Sequence, residues 1–217
     1  MLGGFAVKNN YLVGINHGWE ALLQKDPEEV ADFMEVKYQK PQNLFIVPHL
    51  NENYVVDCIN KTIRRERDGS LAGLELTMLM LHYLTFYKTR AGLEHTWVSL
   101  KEIPNGGILF YPAFYGDAIK GLIEAFGGSS QLFLKCAKML GGHVSNYGET
   151  SSIFYVFPKI PICVVIWEGD EEVPANATVL FDKSISHFLH IESIIGIGSY
   201  LAKKLINLAR AKFNSNP

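Results

Sequence analysis

The sequence predicts an α+β fold: a single domain over residues 1–217, with helices packed on a small, mostly antiparallel sheet. Three observations carry this. Helical patterns come first, β-rich runs follow, and helical patterns return, an order that argues against a doubly wound sheet. No internal repeat, linker or low-complexity stretch divides the chain. A length of 217 residues suits one large domain.

Asn16 to Gln24, with Trp19, Leu22 and Leu23, reads as a short amphipathic helix. Asp26-Pro27-Glu28-Glu29 is a helix start: Asp caps, Pro suits the first helical position, and the acids favour the positive end of the dipole. Val30, Phe33, Met34 and Tyr38 then follow at helical spacing. Leu44 to Val47 and Tyr54 to Val56 are β-type runs joined by Asn51-Glu52-Asn53, hence a hairpin. Arg64 to Gly69 reads as a charged loop.

Leu74 to Tyr87 is the strongest helix, apolar nearly all round and so buried on several sides. Trp97 to Leu100 is a candidate strand, and Pro104-Asn105-Gly106-Gly107 a turn. Ala113 to Phe126 and Ser129 to Leu140 read as helices separated by Gly127-Gly128, the second closed by Gly141-Gly142. Ile153 to Phe157 and Ile162 to Trp167 are β-rich runs about Pro158-Lys159-Ile160-Pro161, a second hairpin. Thr178 to Phe181 adds a strand. Ser184 onward is helical, with Glu192 to Phe213 the last helix.

Composition narrows the function classes. Hydrophobic residues make up 48% and charged residues 19%, enough to build a core. The net charge of -2 gives no electrostatic footprint for nucleic acid. The basic runs, Lys61 to Arg65 and Lys203, Lys204, Arg210 and Lys212 of the last helix, read as solvated surface. Cys58, Cys136 and Cys163 are odd in number and far apart, so buried, reduced thiols are expected. No signal-peptide pattern and no membrane-spanning run is present, so a cytoplasmic protein without membrane contact is expected. Phosphate-binding glycine motifs and a G-x-S-x-G nucleophile are both missing from the sequence. That leans the reading away from an enzyme.

One set of motifs is recognisable. It runs Leu81-His82-Tyr83-Leu84, Ile103-Pro104-Asn105-Gly106-Gly107, Leu140-Gly141-Gly142 and Phe157-Pro158-Lys159-Ile160-Pro161. Trp167-Glu168-Gly169-Asp170-Glu171-Glu172-Val173-Pro174-Ala175 and Val179-Leu180-Phe181-Asp182 complete it. In this order, from about Trp19 to Glu192, the chain resembles an uncharacterised prokaryotic family, a DUF3786-like domain of unknown function seen mostly in anaerobes. Val173 stands where that family usually has Phe. Some relatives resemble carriers of a cysteine-rich iron–sulfur segment; this chain lacks it, so no iron–sulfur cluster is expected. The resemblance implies anaerobic metabolism, where corrinoid and metal cofactors are common.

Two constellations carry candidate chemistry. Asp170, Glu171 and Glu172, with Asp182 closing the next β-run, offer carboxylates for a divalent cation, a basic partner or acid–base work. His187 and His190 lie three apart; on one helix they would share a face and complete a His-His-acid metal set. His82 and Tyr83 sit in the apolar helix, His143 follows Gly141-Gly142, and Trp167 begins the acidic loop. These four are the candidates for holding a large planar cofactor, with His82 or His143 as axial ligand. Three readings stay open. The leading one is a non-catalytic binding protein for a metal-containing tetrapyrrole, corrinoid or haem. The others are a metal-dependent enzyme and an interaction module docking a protein partner through the acidic loop. The hydrophobic content also permits a homodimer.

Overall fold

The computed structural model describes the backbone of residues 2–213 and the side chains of residues 11–211. The side chain of Lys212, counted among the basic residues of the last helix, lies outside the described residues. The fold is α+β, as the residue pattern predicts, but its strands form two antiparallel sheets, of four and five strands. The reason is mostly local. The early β-runs are joined by short turns and pair with one another, and the later runs pair among themselves, with Trp97–Ser99 joining Leu180–Asp182 from far away in the chain. The chain groups into two compact units. The first holds residues 1–91 with Phe157–Lys159 and His187–Leu189; the second holds the remainder.

In the first unit, α1 (Leu2–Leu23) packs on α3 (Leu74–Thr85). A Cβ on Gly18 would lie 2.9 Å from Leu81 Cβ, which is how closely the two helices approach. α1 is far longer than the expected helix, because helix-tolerant residues before Asn16 carry little apolar periodicity of their own. α2 (Pro27–Met34) begins as its sequence requires: Asp26 Oδ1 accepts from the Glu28 and Glu29 amides at 2.8 and 3.4 Å. It stops at Glu35, which is left-handed at φ 54°. Tyr38 therefore leaves the helix and joins a strand.

The first sheet is a meander of β1 (Lys37–Gln39), β2 (Leu44–His49), β3 (Glu52–Asp57) and β4 (Thr62–Arg65). Phe45, Val47 and His49 alternate into the core along β2. The expected charged loop at Arg64 is corrected: Arg64 and Arg65 pair with Val55 and Tyr54 on β4, and the turn comes after them. Arg64 is exposed on this edge strand, whereas Arg65 is half-buried and pairs with Glu52 at 3.4 Å and Asp68 at 3.3 Å.

In the second unit the sheet order is β5-β9-β8-β7-β6. Its strands are β5 (Trp97–Ser99), β6 (His143–Ser145), β7 (Thr150–Phe157), β8 (Ile160–Trp167) and β9 (Asn176–Asp182). β8, at the centre, is buried from Ile160 to Ile166. Helical cover comes from α4 (Gly107–Phe114), α5 (Lys120–Phe126), α6 (Ser130–Met139) and α7 (Ile191–Phe213). A π-helical turn at Tyr115–Ile119 joins α4 to α5. Helix thus begins at Gly107, before the Ala113 expected from the pattern, and Pro112 sits inside it. Among the described residues, no helix is long and apolar enough to cross a membrane.

Tyr83 anchors the first unit. It is fully buried, stacks on Phe157 with centroids 4.6 Å apart, and its ring neighbour Phe157 also meets His49 at 5.3 Å. The Tyr83 hydroxyl donates to the Met34 carbonyl and accepts from the Lys159 amide at 3.3 Å. Burial pushes its phenol well above the usual tyrosine range. Tyr83→Phe keeps the stack and strands one carbonyl and one amide, so it should lower stability by about 1–3 kcal/mol in chemical denaturation.

Candidate functional site

The Trp167–Ala175 loop is built into the second unit. Glu168 reaches across to the start of α6, where its Oε1 accepts from the Ser130 amide. Hydrogen bonding from the Ser130 side chain, and then from its amide, holds the Glu168 carboxyl below the usual range. The carboxylate thus satisfies an orphan donor at a helix N-terminus. The Gly169 amide donates to the Gly127 carbonyl at 3.0 Å. A Cβ on Gly127 would lie 2.5 Å from Ala175 Cβ, so the loop and the α5–α6 junction touch where only glycine fits.

Asp170 shapes the tip. Its Oδ1 accepts from the Val173 and Glu172 amides at 2.7 and 2.8 Å, and those two bonds lower its carboxyl's pKa. Glu171 and Glu172 are exposed. Val173 is exposed as well.

Asp182 does not join this trio, which corrects the expectation that the hairpin would bring them together. The loop leaves the β8–β9 ladder at Trp167 paired with Asn176, whereas Asp182 is six residues further along β9. At about 3.3 Å per residue that is roughly 20 Å away. Asp182 is 1% exposed and pairs across from Trp97. Its Oδ1 accepts from the Glu94 amide at 3.0 Å, the Ser184 amide at 3.0 Å and the Ser184 hydroxyl. Its Oδ2 has no hydrogen-bond partner among the described residues.

The two histidines are not on one helix, a second correction. His187 closes a 3-10 turn (Lys183–His187), Phe188 and Leu189 form a bend, and α7 starts only at Ile191. His187 belongs to the first unit, where its carbonyl accepts from the Lys88 amide at 3.0 Å. His190 belongs to the second, with Nε2 3.0 Å from Ser193 Oγ and its pKa lowered by burial. Among the described residues, no three His, Cys, Asp or Glu side chains group as a metal ion requires. Cys58, Cys136 and Cys163 are free and buried, and burial pushes the Cys58 and Cys163 thiols up to about 11 and about 12.

Of the cofactor candidates, His82 is half-buried on α3 and Tyr83 is committed to backbone groups, both in the first unit. Trp167 packs against Gly148, where a Cβ would lie 2.9 Å from its Cζ2. His143 is different. It is exposed at the start of edge strand β6 and opens on a cleft of about 570 Å³. Leu134, Lys135, Ala137 and Lys138 of α6 line one wall, and Val144 and Ser152 the other. Gly142 makes this possible: a Cβ there would lie 2.6 Å from both Phe154 Cε1 and Ser152 Oγ, so the chain enters β6 tight against β7. The Ser152 hydroxyl donates to the His143 carbonyl at 3.1 Å and holds it there.

Lys159 is the residue that sequence reasoning passed over. It sits in a two-residue turn, yet its side chain is 7% exposed, donating to the Ala91 carbonyl at 2.7 Å and pairing with Glu35 at 3.1 Å. The signal available was a lone cation between two uninterrupted apolar runs.

Asp182→Ala should destabilise by about 3 kcal/mol, since the Glu94 amide and the Ser184 amide and hydroxyl all lose their acceptor. Asp182→Asn, which keeps an acceptor oxygen for them, should cost less than half of that. Urea unfolding of both variants checks the ordering.

A comparison with curated proteins finds no match. Nor does a comparison with solved structures. The pattern of one family matches residues 26–204, most of the chain. The chain belongs to the DUF3786 family, a domain of unknown function.

Proposed function

We propose that this chain is a non-catalytic binding protein for a metal-containing tetrapyrrole, a corrinoid or a haem, held at the α6–β6 cleft with His143 as axial ligand. The observation that carries the reading is the position of His143 at the mouth of a cleft of about 570 Å³. That size falls within the range of small-molecule sites. An imidazole is an ordinary axial ligand for such a metal. Leu134, Ala137 and Val144 give apolar surface for a flat ring, and Lys135 and Lys138 suit carboxylates at its periphery.

The test is titration of the purified chain with haem and with a cobalamin, followed by absorption spectroscopy. Haem or cobalamin should bind with a ligand-field band that His143→Ala abolishes and His82→Ala retains. A wild-type chain that binds neither compound, or a band that survives in His143→Ala, would overturn the reading.

A second reading rests on the acidic loop. Asp170 spends its carboxylate on the turn, which leaves Glu171 and Glu172 facing outward. That arrangement suits docking of a partner's Lys or Arg side chains. A Lys-rich probe peptide should bind in a salt-sensitive manner and lose affinity for the Glu171→Gln/Glu172→Gln variant. The same double variant should melt like the wild type, whereas Asp170→Ala should melt at a lower temperature.

A further inference from the structure

The π-helical turn has no counterpart in the residue pattern; Ala118 and Ile119 face the core from it, while Gly116 and Asp117 face outward. Its Lys120 amide bonds the Tyr115 carbonyl, five residues back. Such turns are rare, and they persist mainly where a helix must aim its side chains differently. Gly116 lies inside it. Glycine is a poor helix residue, and nothing lies within 4 Å of where its Cβ would be, so packing does not require it.

Gly116 opens instead on a groove of about 380 Å³. Lys120 lines one side of it. Lys203, Asn207 and Arg210 line the other, spaced along α7 so that they share a face. Asp117 and Glu124 are also at its edge, with Glu124 4.0 Å from Lys120 in an exposed pair that holds neither tightly.

We infer that this groove binds a compact phosphate-bearing anion, with Lys120, Lys203 and Arg210 supplying the charge and Asn207 a neutral donor. Arg and Lys together favour an oxyanion with several acceptor oxygens. The two acids cap the site's net charge, which suits one phosphate group and not a nucleic-acid backbone. Gly116 leaves the room that a Cβ would fill, so the ligand approaches the helix backbone. The inference is independent of the cofactor reading, because the cleft at His143 shares no residue with this groove.

Calorimetric titration of the full chain with inorganic pyrophosphate at low ionic strength tests it. Wild type should bind, and Lys203→Gln/Arg210→Gln should weaken binding about tenfold or more. Gly116→Ala should raise the melting temperature of the free protein while weakening pyrophosphate binding. His143→Ala should leave that binding unchanged. ADP binding more tightly than pyrophosphate would assign the phosphate to a nucleotide, and equal binding to a free phosphate group; both support the site. No binding to wild type, or wild-type affinity in the double variant, would overturn it.

Discussion

Burial of β8 on both faces is the constraint that organises the second unit. Every residue from Ile160 to Ile166 is buried. A strand of that kind needs a partner on each edge and cover on each face. β7 and β9 supply the partners, and α5 and α6 pack against it. Each fully buried Ile or Val contributes about 1.5–3 kcal/mol, so the stretch anchors the sheet in the core. Everything at its ends must then solve a local problem: how the chain leaves a dry strand without stranding polar groups.

The family's recognisable motifs are those solutions. At one end Glu168 caps α6, Gly169 bonds the Gly127 carbonyl, and Asp170 closes a turn. Along the neighbouring strand, Asp182 collects three donors on one oxygen. In the first unit, the Phe157–Lys159 turn offers Tyr83 a ring to stack on and an amide to accept from. Buried charges persist only when hydrogen-bonded, and removing one partner costs more than the pair contributes. Motifs built on such groups mark architecture as strongly as they mark chemistry.

Three features of the second unit remain open to solvent. His143 sits on edge strand β6, which has a neighbour strand, β7, on one side only. The Gly116 groove lies along the α5–α7 contact, lined by Lys120 from one helix and Lys203, Asn207 and Arg210 from the other. The acidic tip is shaped by Asp170 alone and leaves two carboxylates to solvent. Each feature is a surface that a rigid scaffold presents without using it for its own stability.

The sequence by itself determined the α+β class, both hairpins, the Asp26 helix start and the buried α3. These follow from spacing within a few residues, where periodicity and capping act directly. His143 reads in the sequence as a loop residue after the glycine pair that closes a helix; its place on an edge strand comes from the structure. Only the tertiary structure decided that the strands divide into two sheets and that helix begins at Gly107 with a π turn after it. The separation of Asp182 from the acidic loop, the bend between His187 and His190, and the burial of Lys159 belong to the same group. All of these depend on which residues distant in sequence meet, and the free energy of those contacts exceeds the weak local preferences that a single chain displays.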